Sequence, residues 1–284
     1  MVQRKYLWLR AVTVLAIIIL LISGCASAQT SDTNAAQESA LGASPDGSGD
    51  AKDDVKKDTN SDTVRFINAT YALITTSNDM DTSIYGGLKR SFLNNMSMEV
   101  ALKDSWDITD TASAESTIEW LMTEGHNKEF MDLLKEYQGN REELMKFRQE
   151  LEAKSSLTAD EAQLLELYDM LEQVYADNPE QGILAWDLCR ATQIASWSYV
   201  AGFLSYERSM EISVEAGARL QKQFTSWDQL VHNYLLGYQY WSGESPADAQ
   251  SELVLRKQIY TKLKADPSGP YQVDWNTALS VQEI

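Results

Sequence analysis

Two charges interrupt an apolar stretch in the later half of this chain. Within "GILAWDLCRATQIASWSYVAGFLS", residues 182–205, Asp187 and Arg190 stand three positions apart, a spacing that puts both on one face of a helix. A charge buried alone is costly, and two opposite charges can satisfy one another. The pair therefore reads either as a buried ion pair fixing helix register or, with Gln193, as a polar cleft for a small molecule. Only two histidines exist, His126 and His232, far apart in sequence. His126 follows Gly125, a residue placed to end a helix, where an imidazole commonly caps the last carbonyls. His232 falls one turn into a helix that begins near Trp227, where a core or surface role is the plain reading. If the two met near Asp187 and Glu124, a hydrolytic or metal site would follow.

The familiar signatures of catalysis are missing from the sequence. It contains no G-x-S-x-G elbow, phosphate loop, dinucleotide fingerprint or calcium-loop spacing. Cysteine and histidine are too few to cluster around zinc. Cys189 sits mid-helix in apolar company, where a thiol packs and does not react. The sequence thus assigns no catalytic residue, metal ligand or cofactor.

Trp227, Tyr234, Tyr238 and Trp241 recur at helical spacing, so most should be core. The sharper alternative is an aromatic surface that stacks on sugars or grips a partner.

The elements that must position these residues are helices. Helical periodicity runs from Val64 onward without a convincing alternating strand, and helix-start signals recur. Thr158 with Glu161 forms a capping box before "AQLLELYDMLEQVY", and Ser226 with Gln229 another before "LVHNYLLGYQYW". Ser245, Pro246 and Asp248 read as a third start, and Gly125 as the stop of a helix over 112–124. Helices over 141–154 and 158–176 form an expected hairpin, with Leu144, Phe147 and Leu151 facing Leu164, Tyr168, Leu171 and Tyr175. The expected fold is all-α: a single multi-helix globular domain of about eight helices over 64–265, followed by a C-terminal tail over 266–284.

Ahead of this domain, Arg4, Lys5 and Arg10 precede an apolar run over residues 11–22 and then Ser23-Gly24-Cys25. A run of about a dozen apolar residues is too short for a bilayer-spanning helix and suits a signal-peptide core. Ile22-Ser23-Gly24-Cys25 resembles the lipobox of bacterial lipoproteins. The resemblance implies a signal peptide over 1–24, cleaved before Cys25, whose thiol receives a diacylglyceryl group. An uncleaved anchor helix and an ordinary signal peptide cut near Ala26-Ser27-Ala28 are the competing readings. Residues 25–63 hold no aromatic side chain and few large aliphatics, a composition expected to be disordered. The 38 residues of 26–63 would then be a flexible tether with a root-mean-square span of roughly 30–37 Å. Through its lipid the domain would be held on the extracytoplasmic face of the cell membrane.

The chain has 42 acidic and 24 basic residues, a formal net charge of −18 at pH 7. Loss of residues 1–24 removes three basic residues and no acid, deepening this to −21. Such a charge repels nucleic acid and anionic lipid. With Cys25 lipidated, Cys189 has no second cysteine for an intramolecular disulfide, so packing must stabilise the domain.

Two blocks carry a further resemblance. "SWDITDTASAESTIEWLMTEGHNKEF", residues 105–130, contains Trp106, Trp120 and Gly125-His126; residues 186–243 contain tryptophans, Gly202 and Ser226-Trp227 in one order. Together they resemble the bacterial domain-of-unknown-function 1266 family over residues 65–245. The resemblance implies a fold and domain limits but no activity. The leading functional expectation is a non-enzymatic, lipid-anchored binding or interaction domain in the cell envelope, with a protein partner there. The alternative is an enzyme of unrecognised class that acts on envelope material through carboxylates and His126 or His232.

Overall fold

A computed structural model describes residues 61–281 of the chain. The proposed signal peptide, Cys25 and the tether up to residue 60 lie outside the described residues. Ten α-helices follow one another, with no strand among the described residues. They are α1 (Asp62–Thr70), α2 (Ala72–Ser77), α3 (Phe92–Trp106), α4 (Thr111–Thr123) and α5 (Gly125–Glu152). Then come α6 (Ala159–Asp177), α7 (Leu184–Ala201), α8 (Tyr206–Gln223), α9 (Trp227–Ser242) and α10 (Glu252–Ala265). Eight of these have 13 or more residues, the number expected from periodicity. No described helix is long and apolar enough to cross a membrane.

The apolar run with its two charges becomes α7, the axis of the domain. Fifteen of its residues are buried, and α1, α3, α4, α5, α8 and α9 all pack against it. At Gly237 of α9 an added Cβ would lie 2.2 Å from Trp186 Cβ, so only a glycine lets α9 come this close to α7. By contrast, α3 buries only Met98 and Leu102 and leaves Phe92, Leu93, Met96 and Val100 exposed.

A second core fills the hairpin of α5 and α6. Phe130, Leu134, Tyr137, Leu144 and Leu151 meet Leu164, Leu167, Tyr168, Leu171 and Val174, with Ile183, Leu236 and Tyr240 at the base. Each buried aliphatic or aromatic side chain there contributes about 1.5–3 kcal/mol. Arg148–Asp169 and Lys154–Glu161 ion pairs lace the outer edge, each worth under about 1 kcal/mol. The hairpin's first arm is 28 residues long, twice the length read from its stripe, because no breaker separates residues 125–140 from it.

Two boundaries differ from expectation. Ser245, Pro246 and Asp248 start no helix: the Ser245 hydroxyl accepts from Ala247 N and the Asp248 carboxylate from Gln250 N, which makes a turn. Helix α10 begins instead behind Ser251, whose hydroxyl accepts from Val254 N. Nor are residues 266–281 a free tail. Tyr271, Val273 and Trp275 are buried in the main core, with Trp227 Nε1 donating to the Val273 carbonyl and Trp275 Nε1 to that of Phe224.

Candidate functional site

Helices α5 and α7 begin beside one another, and neither supplies its own side-chain cap. The first amides of a helix have no intrahelical partner and carry its positive end. Asp187 meets this need from α7: its Oδ2 accepts from Asn127 N, in the first turn of α5, at 2.7 Å. Asn127 returns the favour, its Oδ1 accepting from Ile183 N at 2.7 Å. Asn233 of α9 completes the junction by accepting from Ala185 N and donating to the Gly182 carbonyl. Gly125, at φ +57°, makes room for the carboxylate, because an added Cβ would fall 2.2 Å from Asp187 Oδ2.

The second oxygen of Asp187 lies 2.8 Å from His126 Nδ1. A carboxylate only accepts, so Nδ1 carries the proton and, in the neutral ring, Nε2 is left as the basic nitrogen. Asp187 is 1% exposed and the imidazole 20%. Trp120 and Trp186 flank the ring edge-on, at 5.0 and 6.3 Å between centroids. No hydrogen bond reaches Nε2 from the described residues. An imidazole oriented by a buried carboxylate, with its far nitrogen open, has the geometry of a general base.

Arg190 does not pair with Asp187. A shared helix face sets the two close, but Asp187 turns to the α5 terminus while the longer arginine reaches the other way, into tryptophan. Its guanidinium carbon is 4.0 Å from the Trp106 ring centroid, 4.3 Å from Trp186 and 5.4 Å from Trp241. Nη1 is buried without a hydrogen-bond partner. Burial pushes the arginine pKa down to about 10, against the opposing pull of Tyr234 and Asp187. A second cation near these rings, Arg256 of α10, is buried with its guanidinium carbon 4.5 Å from the Tyr238 centroid.

The other candidates separate into distinct places. Tyr234, Tyr238 and Trp241 gather round Trp186 with centroids 5.1–5.7 Å away; the two tyrosines are buried and Trp241 part-exposed. Trp227 is buried elsewhere, among Phe66, Tyr271 and Trp275. Gln193 is buried further along α7. His232 lies on the opposite side of α9, where it accepts from Gln173 Nε2 at 3.0 Å. It lines a cavity of about 230 Å³ with Glu166, Asp169, Gln239 and Lys257. The two histidines therefore do not share a site. Among the described residues no group of three or more His, Cys, Asp or Glu is placed to hold a metal.

Residues 101–275 match the family described as a protein of unknown function, DUF1266. The chain belongs to that family. No curated protein and no solved structure matches it. Within the matched span, Trp106, Trp120 and His126 come from the first sequence block and Trp186, Asp187, Arg190 and Trp241 from the second. These seven residues, from five helices, meet around one part-exposed locus. The pattern reading missed Asn127, Asn233 and Arg256 because no local spacing marks them.

Proposed function

We propose that the chain is a lipid-tethered binding domain displayed on the extracytoplasmic face of the cell membrane, with its recognition site at the Trp186 cluster. The observation that carries the binding reading is the meeting there of part-exposed tryptophans, an imidazole and an unpaired guanidinium. Apolar rings with a few convergent polar groups are the common make-up of a ligand site. The anchor rests on Arg4, Lys5, the short apolar run and Ser23-Gly24-Cys25. In this reading the tether leaves the domain free to engage an envelope component at a distance from the headgroups.

The test uses the full chain expressed in a bacterial host. The wild type is expected in the membrane fraction and Cys25→Ser in the soluble extracytoplasmic fraction; equal partition refutes the anchor. Native mass spectrometry of purified protein is expected to show a co-purified species in the wild type that is absent from Trp241→Ala and Trp120→Ala. Its persistence in both variants, or its absence from all, refutes the cluster as the recognition site.

A second reading, an enzyme acting on envelope material, is favoured by the His126–Asp187 geometry. It requires that His126→Gln abolish turnover of an envelope substrate while folding is retained. Undiminished turnover would sink it.

A further inference from the structure

Among the described residues, four arginines of this domain have a carboxylate partner, and the two beside the Trp186 cluster do not. Arg65, Arg141, Arg148 and Arg208 each reach a carboxylate, on Asp62, Glu172, Asp169 and Glu115. Arg190 and Arg256 reach none among the described residues. A buried charge needs its partner far more than a surface charge does, and Arg256 is buried while Arg190 is part-buried. Acidic residues are abundant, 42 in the chain, so shortage does not explain the missing partners.

The nearest acids are otherwise engaged or distant. Both Asp187 oxygens are held by His126 and Asn127. Glu252 acts on Arg256 only through space. Arg256 is 8% exposed, and its Nε and Nη1 are buried without a partner, as is Nη1 of Arg190. Ring faces at 4.0–4.5 Å supply attraction to both cations, and the Tyr234 and Tyr238 hydroxyls bond to Arg256, but no carboxylate among the described residues accepts the remaining N–H donors. Tyr234 couples electrostatically to both, and the charge of Arg256 is felt at Arg190. The two like charges feel one another, and Asp187 and Glu252 act on them only through space.

We propose that Arg190 and Arg256 form the receptor for an oxyanion, a carboxylate or phosphate group, carried by the ligand of the Trp186 cluster. The guanidinium fork matches either group in a bidentate manner. Trp106 and Trp241, both part-exposed, would lie against the body of that ligand. The proposal rests on the Trp186 cluster being the recognition site.

The experiment titrates the full chain in detergent separately with inorganic phosphate and with acetate, at constant ionic strength against chloride, following tryptophan fluorescence and Tm. A saturable fluorescence change and a Tm that rises with concentration are expected for one of the two anions. A phosphate response assigns a phosphoryl ligand, and an acetate response a carboxylate. Arg190→Met and Arg256→Met are each expected to weaken the response at least tenfold. Without anion, Arg190→Met should melt no lower than wild type, since it removes an unpaired charge and keeps the packed stem. Arg190→Lys guards against misfolding, keeping the charge while losing the fork and at least tenfold in affinity. A response equal to that of chloride, or one unchanged in both Met variants, overturns the oxyanion receptor. If the response survives both Met variants but is lost in Trp241→Ala, the cluster stands as a site and only the arginine assignment falls.

Discussion

Replacing Gly125 by alanine puts the whole α5–α7 junction to the test with one methyl group. The residue sits at φ +57°, where a side chain costs about 1–2 kcal/mol. The new Cβ would also lie 2.2 and 2.4 Å from Asp187 Oδ2 and Cγ, so the carboxylate must move. Moving it breaks the bonds to Asn127 N and His126 Nδ1, each worth about 1.5–3 kcal/mol as hydrogen bonds to a charged group. Strain plus the loss of one to both bonds gives a destabilisation of about 2.5–8 kcal/mol. Equilibrium urea unfolding followed by circular dichroism measures it. Gly139→Ala in the same helix is the control: an added Cβ there meets nothing within 4 Å, and the change should stabilise by about 0.5–1 kcal/mol. A loss below about 1 kcal/mol for Gly125→Ala would show that Asp187 is not held as described.

The remaining predictions use the same assay. Tyr168 is fully buried with an unpartnered hydroxyl and a pKa pushed up to about 12 by burial; Tyr168→Phe should be neutral or up to about 1 kcal/mol stabilising, and a loss above about 1 kcal/mol refutes the orphaned hydroxyl. A double-mutant cycle of Asp187→Asn with His126→Gln should couple by about 1–3 kcal/mol, whereas Asp187→Asn with Arg190→Met should couple by less than about 0.5 kcal/mol; the reverse order would restore the pair that the sequence suggests. Glu172 is held below the usual carboxylate range by hydrogen bonds from Arg141 and then Tyr137. Its contribution is therefore complete above the unfolded value, near 4.3, and is lost as pH falls through the depressed folded value. The gap in urea midpoint between wild type and Glu172→Gln should stay level from pH 7 to about pH 5 and close below that. A constant gap down to pH 3 would contradict the assignment.

Local features were legible in the sequence because their causes are local. The Thr158–Glu161 box forms as read, with Thr158 N donating to Glu161 Oε2 and Glu161 N to the Thr158 hydroxyl. Ser226 caps α9 as read, while Gln229 reaches one residue further back, to Thr225 N. Ser245 and Asp248 misled because the side chains that cap helices also close turns, and here the turn satisfies them first. Asp187 and Arg190 were legible as two charges on one helix face but not as separate bonds. Spacing fixes which face of α7 they share, and only the tertiary arrangement decides that α5 offers amides on one side and α3 a tryptophan on the other. Arg256 was invisible for the same reason, since its neighbours Tyr234 and Tyr238 lie on another helix.

The junction at Gly125 is also a fulcrum. Helix α5 leaves it with 28 residues, an arm of about 40 Å at 1.5 Å per residue. A tilt of about 5° at the root would displace its far end by about 3–4 Å. His126 and Asn127, the residues through which Asp187 grips that root, stand in the first turn beside the tryptophan-lined locus. A ligand that shifts the imidazole by a fraction of an ångström would therefore act on the short side of a lever, with the α5–α6 hairpin tip on the long side.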